Sequence, residues 1–228
     1  MPFMKPFSLT YVRYPVDDVF GFFAALASLM PFCVIIATFG AFFARRELWD
    51  LGLLVGILAN EVLAQFLKHV IDEPRPDSCA LVDFCKTSGM PSSHASLAWF
   101  ACSIAVLNFR RRAAAHLGTQ NRVLDSFGKI LVMVHVPIAL AVSTSRVYLG
   151  YHSFAQVAAG SVLGLVAGAA WHFFVMVPFA SLFTTLETSP LGEFLGIRDS
   201  SLVADPENVA RKALAAPAKP ATRVRARR

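Results

Sequence analysis

The stretch VAAGSVLGLVAGAAWHFFVMVPF, residues 157–179, contains no Asp, Glu, Lys or Arg, and its reading decides the fold. A helix that crosses a bilayer needs about 20 predominantly apolar residues to cover a hydrocarbon core of about 30 Å. This run is long enough, and Gly160, Gly164 and Gly168 recur in it at intervals of four residues. That spacing puts one small face on the helix, suited to close packing against another. Working outward, four further stretches approach the same character. Residues 19–43 form a long apolar run closed by Arg45 and Arg46, and residues 51–67 are shorter and include Asn60, Glu61 and Gln65. Residues 90–109 stop at Arg110, Arg111 and Arg112, and residues 130–142 are short and carry His135. The expected fold is all-α, a polytopic membrane bundle of about five transmembrane helices, with an additional interfacial helix near residues 191–197.

Composition agrees. Of 228 residues 56% are hydrophobic and 16% charged, with a mean hydropathy of +0.56, so lipid is the solvent for much of the chain. The net charge of +6 comes without a basic helix or an aromatic-basic platform, which argues against nucleic acid as a partner. The arginine clusters instead follow the first and third apolar runs, and Arg223, Arg225, Arg227 and Arg228 end the chain. By the positive-inside rule these belong to the cytosol, and segments 68–91 and 145–152 then share the opposite face. The division expected is a lumenal N-terminal segment (1–18), a transmembrane domain (19–180), an amphipathic cytosolic segment (181–204) and a disordered basic tail (205–228), too poor in apolar area to offset the entropy of ordering. Cys33, Cys79, Cys85 and Cys102 form no CxxC pair and have no histidines at ligand spacing, which argues against a zinc site. Cys79 and Cys85 share one polar loop, where a disulfide and two free thiols are both compatible with the sequence.

Three polar clusters stand at span ends on the inferred non-cytosolic face. They are Lys68 followed by Arg75-Pro76, then Pro91-Ser92-Ser93-His94, then Ser145-Arg146 followed by His152. A phosphoryl group spreads negative charge over several oxygens, which the Arg fork and the Lys point charge can hold together. Lys68, Arg75 and Arg146 are of this kind, and backbone N–H groups near Ser92 and Ser93 add the positive end of a helix dipole. Two histidines permit two jobs, one attacking phosphorus and one protonating the departing oxygen. A lone Lys or Arg at a span end is usually an interfacial anchor, and His135 and His172, isolated in apolar runs, are read as structural. Asn60 and Glu61 divide between a structural network and a role beneath the site.

Lys-x6-Arg-Pro, Pro-Ser-x-His and Ser-Arg-x5-His, in this order, resemble the three signatures of the type-2 phosphatidic acid phosphatase superfamily, the lipid phosphate phosphatases. Gly89-Met90-Pro91-Ser92-Ser93-His94, Ser145-Arg146-Val147-Tyr148-Leu149, Asn60-Glu61, Glu73-Pro74 and Ile197-Arg198-Asp199 resemble its dolichyldiphosphatase branch. The resemblance implies a metal-independent hydrolase that uses no cofactor, with His152 as nucleophile and His94 as general acid. Lys68, Arg75, Ser92, Ser93 and Arg146 would bind the phosphate. It further implies a polyprenyl (dolichyl) diphosphate substrate and an endoplasmic reticulum membrane location, with the site facing the lumen and the lipid carrier recycled for protein N-glycosylation. The superfamily usually has Gly where this chain has Ser93, and an acidic residue where it has Gln156. A carboxylate there would hold the imidazole tautomer and stabilise its cation. Either the branch tolerates the amide, or another acid such as Asp72 or Glu73 approaches His152.

Overall fold

The structure, a computed structural model, describes residues 4–7, 12–115 and 122–199. The expected tail 205–228 lies outside these residues. Among the described residues, a short antiparallel hairpin of β1 (Met4–Phe7) and β2 (Val12–Pro15) precedes eight α-helices. The first long run is broken into α1 (Val19–Ala27) and α2 (Met30–Arg45), because Pro31 at the start of α2 has no N–H for the carbonyl one turn back. Then come α3 (Leu48–Ile71), α4 (Ser93–Ala115), α5 (Arg122–Tyr148) and α6 (Phe154–Trp171). A single π-helical turn, His172–Met176, joins α6 to α7 (Val177–Glu187), and α8 (Pro190–Leu195) is short.

The described residues hold three helical stretches long and apolar enough to cross a membrane: Val19–Arg45, Leu48–Ile71 and Phe154–Glu187. Their outward faces are apolar, with Phe20 and Phe174 both 78% exposed and Phe66 61%, which identifies hydrocarbon as the medium around them. Helix α4 differs because it occupies the centre. Its Leu97, Phe100 and Ile104 pack with Ile57 of α3, while Ala98 and Cys102 meet Ala139 and Val142 of α5. Surrounded by protein, it can carry Ser93, Ser96 and Ser103 at little cost, since each hydroxyl finds a partner on a neighbour. Ser96 Oγ donates to Asn60 Oδ1 at 3.1 Å and Ser103 Oγ to the Leu165 carbonyl at 3.2 Å. The glycine stripe of α6 serves this packing. A Cβ at Gly160 would stand 3.0 Å from Ser92 N, and one at Gly164 2.9 Å from Phe100 N, so α6 lies directly on the α4 backbone.

The fourth span runs beyond residues 130–142 as a helix through Tyr148, whose last turns hold Ser145 and Arg146. Residues 181–187 continue the last long helix as part of α7 before the chain breaks. Beyond α8, Arg198 pairs in parallel with Glu47 in the turn between α2 and α3, and the Arg46 side chain donates to the Leu195 carbonyl. The Ile197-Arg198-Asp199 motif is therefore a clip on that turn. Cys79 and Cys85 are joined as a disulfide.

Candidate active site

The site lies where the C-terminal ends of α3 and α5 meet the N-terminal ends of α4 and α6. Lys68 sits in the last turn of α3, which Asp72 closes in the left-handed region at φ 45°. Arg75 follows in the connecting segment and is held on three sides. Its Nε donates to the Thr87 carbonyl at 2.9 Å, Nη2 to Thr87 Oγ1 at 3.1 Å, and Nη1 to the Tyr151 carbonyl at 2.7 Å. The same Nη1 lies 3.2 Å from His152 Nε2, and the guanidinium covers the Phe84 ring at 4.7 Å.

After α5 the chain folds back on itself. The N–H groups of Tyr151 and His152 both donate to the Arg146 carbonyl at 3.1 Å. This reversal requires Gly150 at φ +77°, where a Cβ would also meet Ser78 at 2.9 Å, a conformation to which glycine is suited. His152 is thereby placed beside Arg146, itself only 4% exposed. Arg146 Nη1 donates to Ser28 Oγ at 3.1 Å, and its guanidinium stacks on the Tyr151 ring at 4.1 Å. The hairpin braces that ring from outside, with Arg13 N donating to Tyr151 Oη at 3.0 Å.

His94 occupies the first turn of α4, edge-on to Phe32 at 5.8 Å, within electrostatic reach of Arg146, His152, Lys68 and Arg75. Ser92 is fully buried, and its N–H donates to the Gln156 carbonyl at 3.0 Å. Ser93 Oγ accepts from Gln65 at 3.3 Å, and Gln65 also donates to Glu61 at 2.6 Å. Thus Lys68, Arg75, Ser92, Ser93, His94, Arg146, His152 and Gln156 converge. Arg146 Nε and Ser92 Oγ are buried with no protein hydrogen-bond partner among the described residues. Buried polar atoms cost about 1–3 kcal/mol when unsatisfied, so both retain hydrogen-bonding capacity that the protein does not use. Burial, then the charges of Arg75, Arg146 and Lys68, push the His152 imidazole down to about 2 against an upward pull from Gln156. The imidazole is therefore neutral, with Nε2 facing the Arg75 guanidinium.

Gln156 carries more than the sequence reading assigned to it. Its N–H and that of Ser153 close a reciprocal capping box at 3.2 Å each, legible in Ser-x-x-Gln at the start of an apolar run. Its Oε1 lies 3.2 Å from His152 Nδ1, while its Nε2 donates to Glu73 Oε1 at 2.9 Å and to the Pro74 carbonyl at 2.8 Å. Ser28 and Thr87 went unread, since a hydroxyl within or beside a span has no spacing signature. His172 stays structural, edge-on to Trp49 at 6.0 Å.

Fold and site define an all-α membrane protein with a buried, multiply cationic anion pocket flanked by two imidazoles. The chain belongs to the PAP2 superfamily, whose family model matches residues 49–179, a range that holds every cation and histidine of the pocket. It is similar to lipid phosphate phosphatase gamma of Arabidopsis thaliana, 33% identical over 203 residues covering 89% of this chain and 87% of that protein. Dolichyldiphosphatase 1 of Homo sapiens is 35% identical over 200 residues, 87% of this chain and 83% of that protein. The dolichyldiphosphatase of Saccharomyces cerevisiae is 30% identical over 179 residues, covering 76% and 72%. No solved structure matches the chain.

Proposed function

We propose that this chain hydrolyses a polyprenyl (dolichyl) diphosphate to the lipid monophosphate and inorganic phosphate through a phosphohistidine. The observation that carries the reading is the meeting of a neutral His152 with three cations and a second histidine at one end of the bundle. The terminal phosphate sits among Lys68, Arg75 and Arg146, with Arg146 Nε and Ser92 Oγ, otherwise unpartnered, as donors to its oxygens, and with Ser93 beside them. The Nε2 lone pair of His152 attacks phosphorus. As the P–O bond to the lipid phosphate breaks, His94 protonates that oxygen. His94 then takes a proton from water, whose oxygen attacks phosphorus while the Nε2–P electron pair returns to His152. Fixed cations offset the charge on the transferred group, the main source of acceleration in phosphoryl transfer.

The names of the human and yeast relatives support the diphosphate substrate, and the Arabidopsis relative's name supports the wider class of lipid phosphates. The Cys79–Cys85 disulfide, on the loop that carries Arg75, supports a site facing an oxidising compartment, in keeping with the endoplasmic reticulum lumen. Arginines at the opposite ends of α2 and α4 support a cytosolic face there, so that residues 1–18 are lumenal and the chain beyond α7 is cytosolic.

The test is phosphate release by the detergent-purified protein in EDTA, from dolichyl diphosphate, dolichyl phosphate and phosphatidate in parallel, with His152→Ala and His94→Ala as controls. Preference for dolichyl diphosphate, abolished in both variants, is expected. Preference for phosphatidate would replace the substrate, and substantial turnover by either variant would overturn its assigned role.

A further inference from the structure

The geometry points to Glu73 as a positioning residue for the nucleophile, acting on His152 through the side-chain amide of Gln156. This rests on the reading of His152 as nucleophile. The direction of the amide is set by its surroundings. Ser153 N–H faces one end at 3.2 Å, and the Glu73 carboxylate and Pro74 carbonyl face the other at 2.9 and 2.8 Å. A backbone N–H can only donate, and carboxylate and carbonyl oxygens can only accept, so the oxygen must point to Ser153 and the NH2 to Glu73. That oxygen is then the partner of His152 Nδ1 at 3.2 Å. It accepts only, so Nδ1 must carry the proton and Nε2 the lone pair. Arg75 Nη1, a donor 3.2 Å from Nε2, requires the same tautomer.

Glu73 therefore acts with Ser153 N–H, the Pro74 carbonyl and Arg75 to hold the tautomer, without touching the ring. It also contributes charge. When Nε2 forms its bond to phosphorus the ring becomes cationic, with its positive charge shared by Nδ1–H. A neutral amide oxygen answers that charge weakly, but an amide whose NH2 is bound to a carboxylate is polarised toward its oxygen, because hydrogen bonds in series strengthen one another. Glu73 is anchored for this duty by its own carbonyl, which accepts from Gly89 N at 2.7 Å, and Gln156, 1% exposed, is screened from water. The charge that a direct carboxylate would supply is set back by one amide.

The experiment compares Glu73→Gln, Gln156→Asp, the double variant and His152→Ala in the full-length, detergent-purified protein, measuring kcat and KM on dolichyl diphosphate. Glu73→Gln keeps an oxygen for the Gln156 NH2 but loses the charge, so kcat should fall about 10- to 100-fold, as for other residues that orient a ligating or reacting histidine, with KM little changed. Gln156→Asp alone sets two carboxylates against each other and should be impaired. In the double variant the new carboxylate touches His152 and the Gln at position 73 donates to it, so kcat should recover to well above either single variant. Unchanged kcat in Glu73→Gln would overturn the inference, as would a double variant no better than Gln156→Asp, since Glu73 would not then act through position 156. Turnover surviving in His152→Ala would instead remove the nucleophile reading itself. An inactive His152→Ala beside a fully active Glu73→Gln would remove only the positioning role of Glu73.

Discussion

Arg75 shows why its position calls for arginine. Nε and Nη2 hold Thr87, while Nη1 serves both the Tyr151 carbonyl and His152 Nε2. A lysine keeps the charge but cannot span these directions, so Arg75→Lys should lower kcat/KM by about 10- to 100-fold with the fold retained, checked by kinetics beside a thermal melt. His152 makes a second statement testable. Its imidazole is pushed down to about 2, so acidification to about pH 4 leaves it unprotonated, whereas an ordinary histidine would charge near pH 6.5. Any acid limb in kcat/KM over this range should follow the ionisation of the substrate's phosphate. Replacing the terminal phosphate by a thiophosphate, which ionises at lower pH, should move the limb down. A limb that stays in place would belong to the protein.

Among elements, α6 depends on having almost no side chain where it crosses α4. Gly160→Val or Gly164→Val would drive methyl groups into the backbone at Ser92 or Ser96, so each should destabilise the protein by roughly 1–3 kcal/mol and reduce activity, read as a lower melting temperature in detergent together with lost phosphate release. This stripe was legible in the sequence as a packing face, as was the all-α membrane character, because hydrocarbon imposes a composition that chance rarely reproduces. Boundaries were less legible. Residues 143–148 continue α5 because Thr144 and Ser145 return their hydroxyls to carbonyls of their own helix at 2.9 and 2.7 Å, which lets polar residues extend an apolar span. The N-terminal hairpin was not legible, since it is held by a residue more than a hundred positions away, Tyr151, and the partner of Ser28 at the α1–α2 break, Arg146, is equally distant.

The whole molecule has two ends with different chemistry. One gathers the pocket, the disulfide and the hairpin. The other gathers Arg45, paired with Asp50 at 2.7 Å, and Arg111 over the Trp49 ring at 5.0 Å, with the C-terminal clip on the α2–α3 turn. If these ends face lumen and cytosol, a tag after Arg228 in sealed microsomes should be digested by added protease while one placed before Met1 survives; the reverse result would invert the topology. Assembly of the pocket draws on both the beginning and the end of the chain: Ser28 from the first span, Gln156 from the last. A ribosome delivers spans in order, so Lys68, Arg75, His94 and Arg146 are synthesised while α6, which carries Gln156, is still to be made. Until α6 seats on α4, no amide fixes the His152 tautomer and Ser92 lacks its backbone partner. If His152 is the nucleophile as proposed, the site is complete only once α6 has seated on α4.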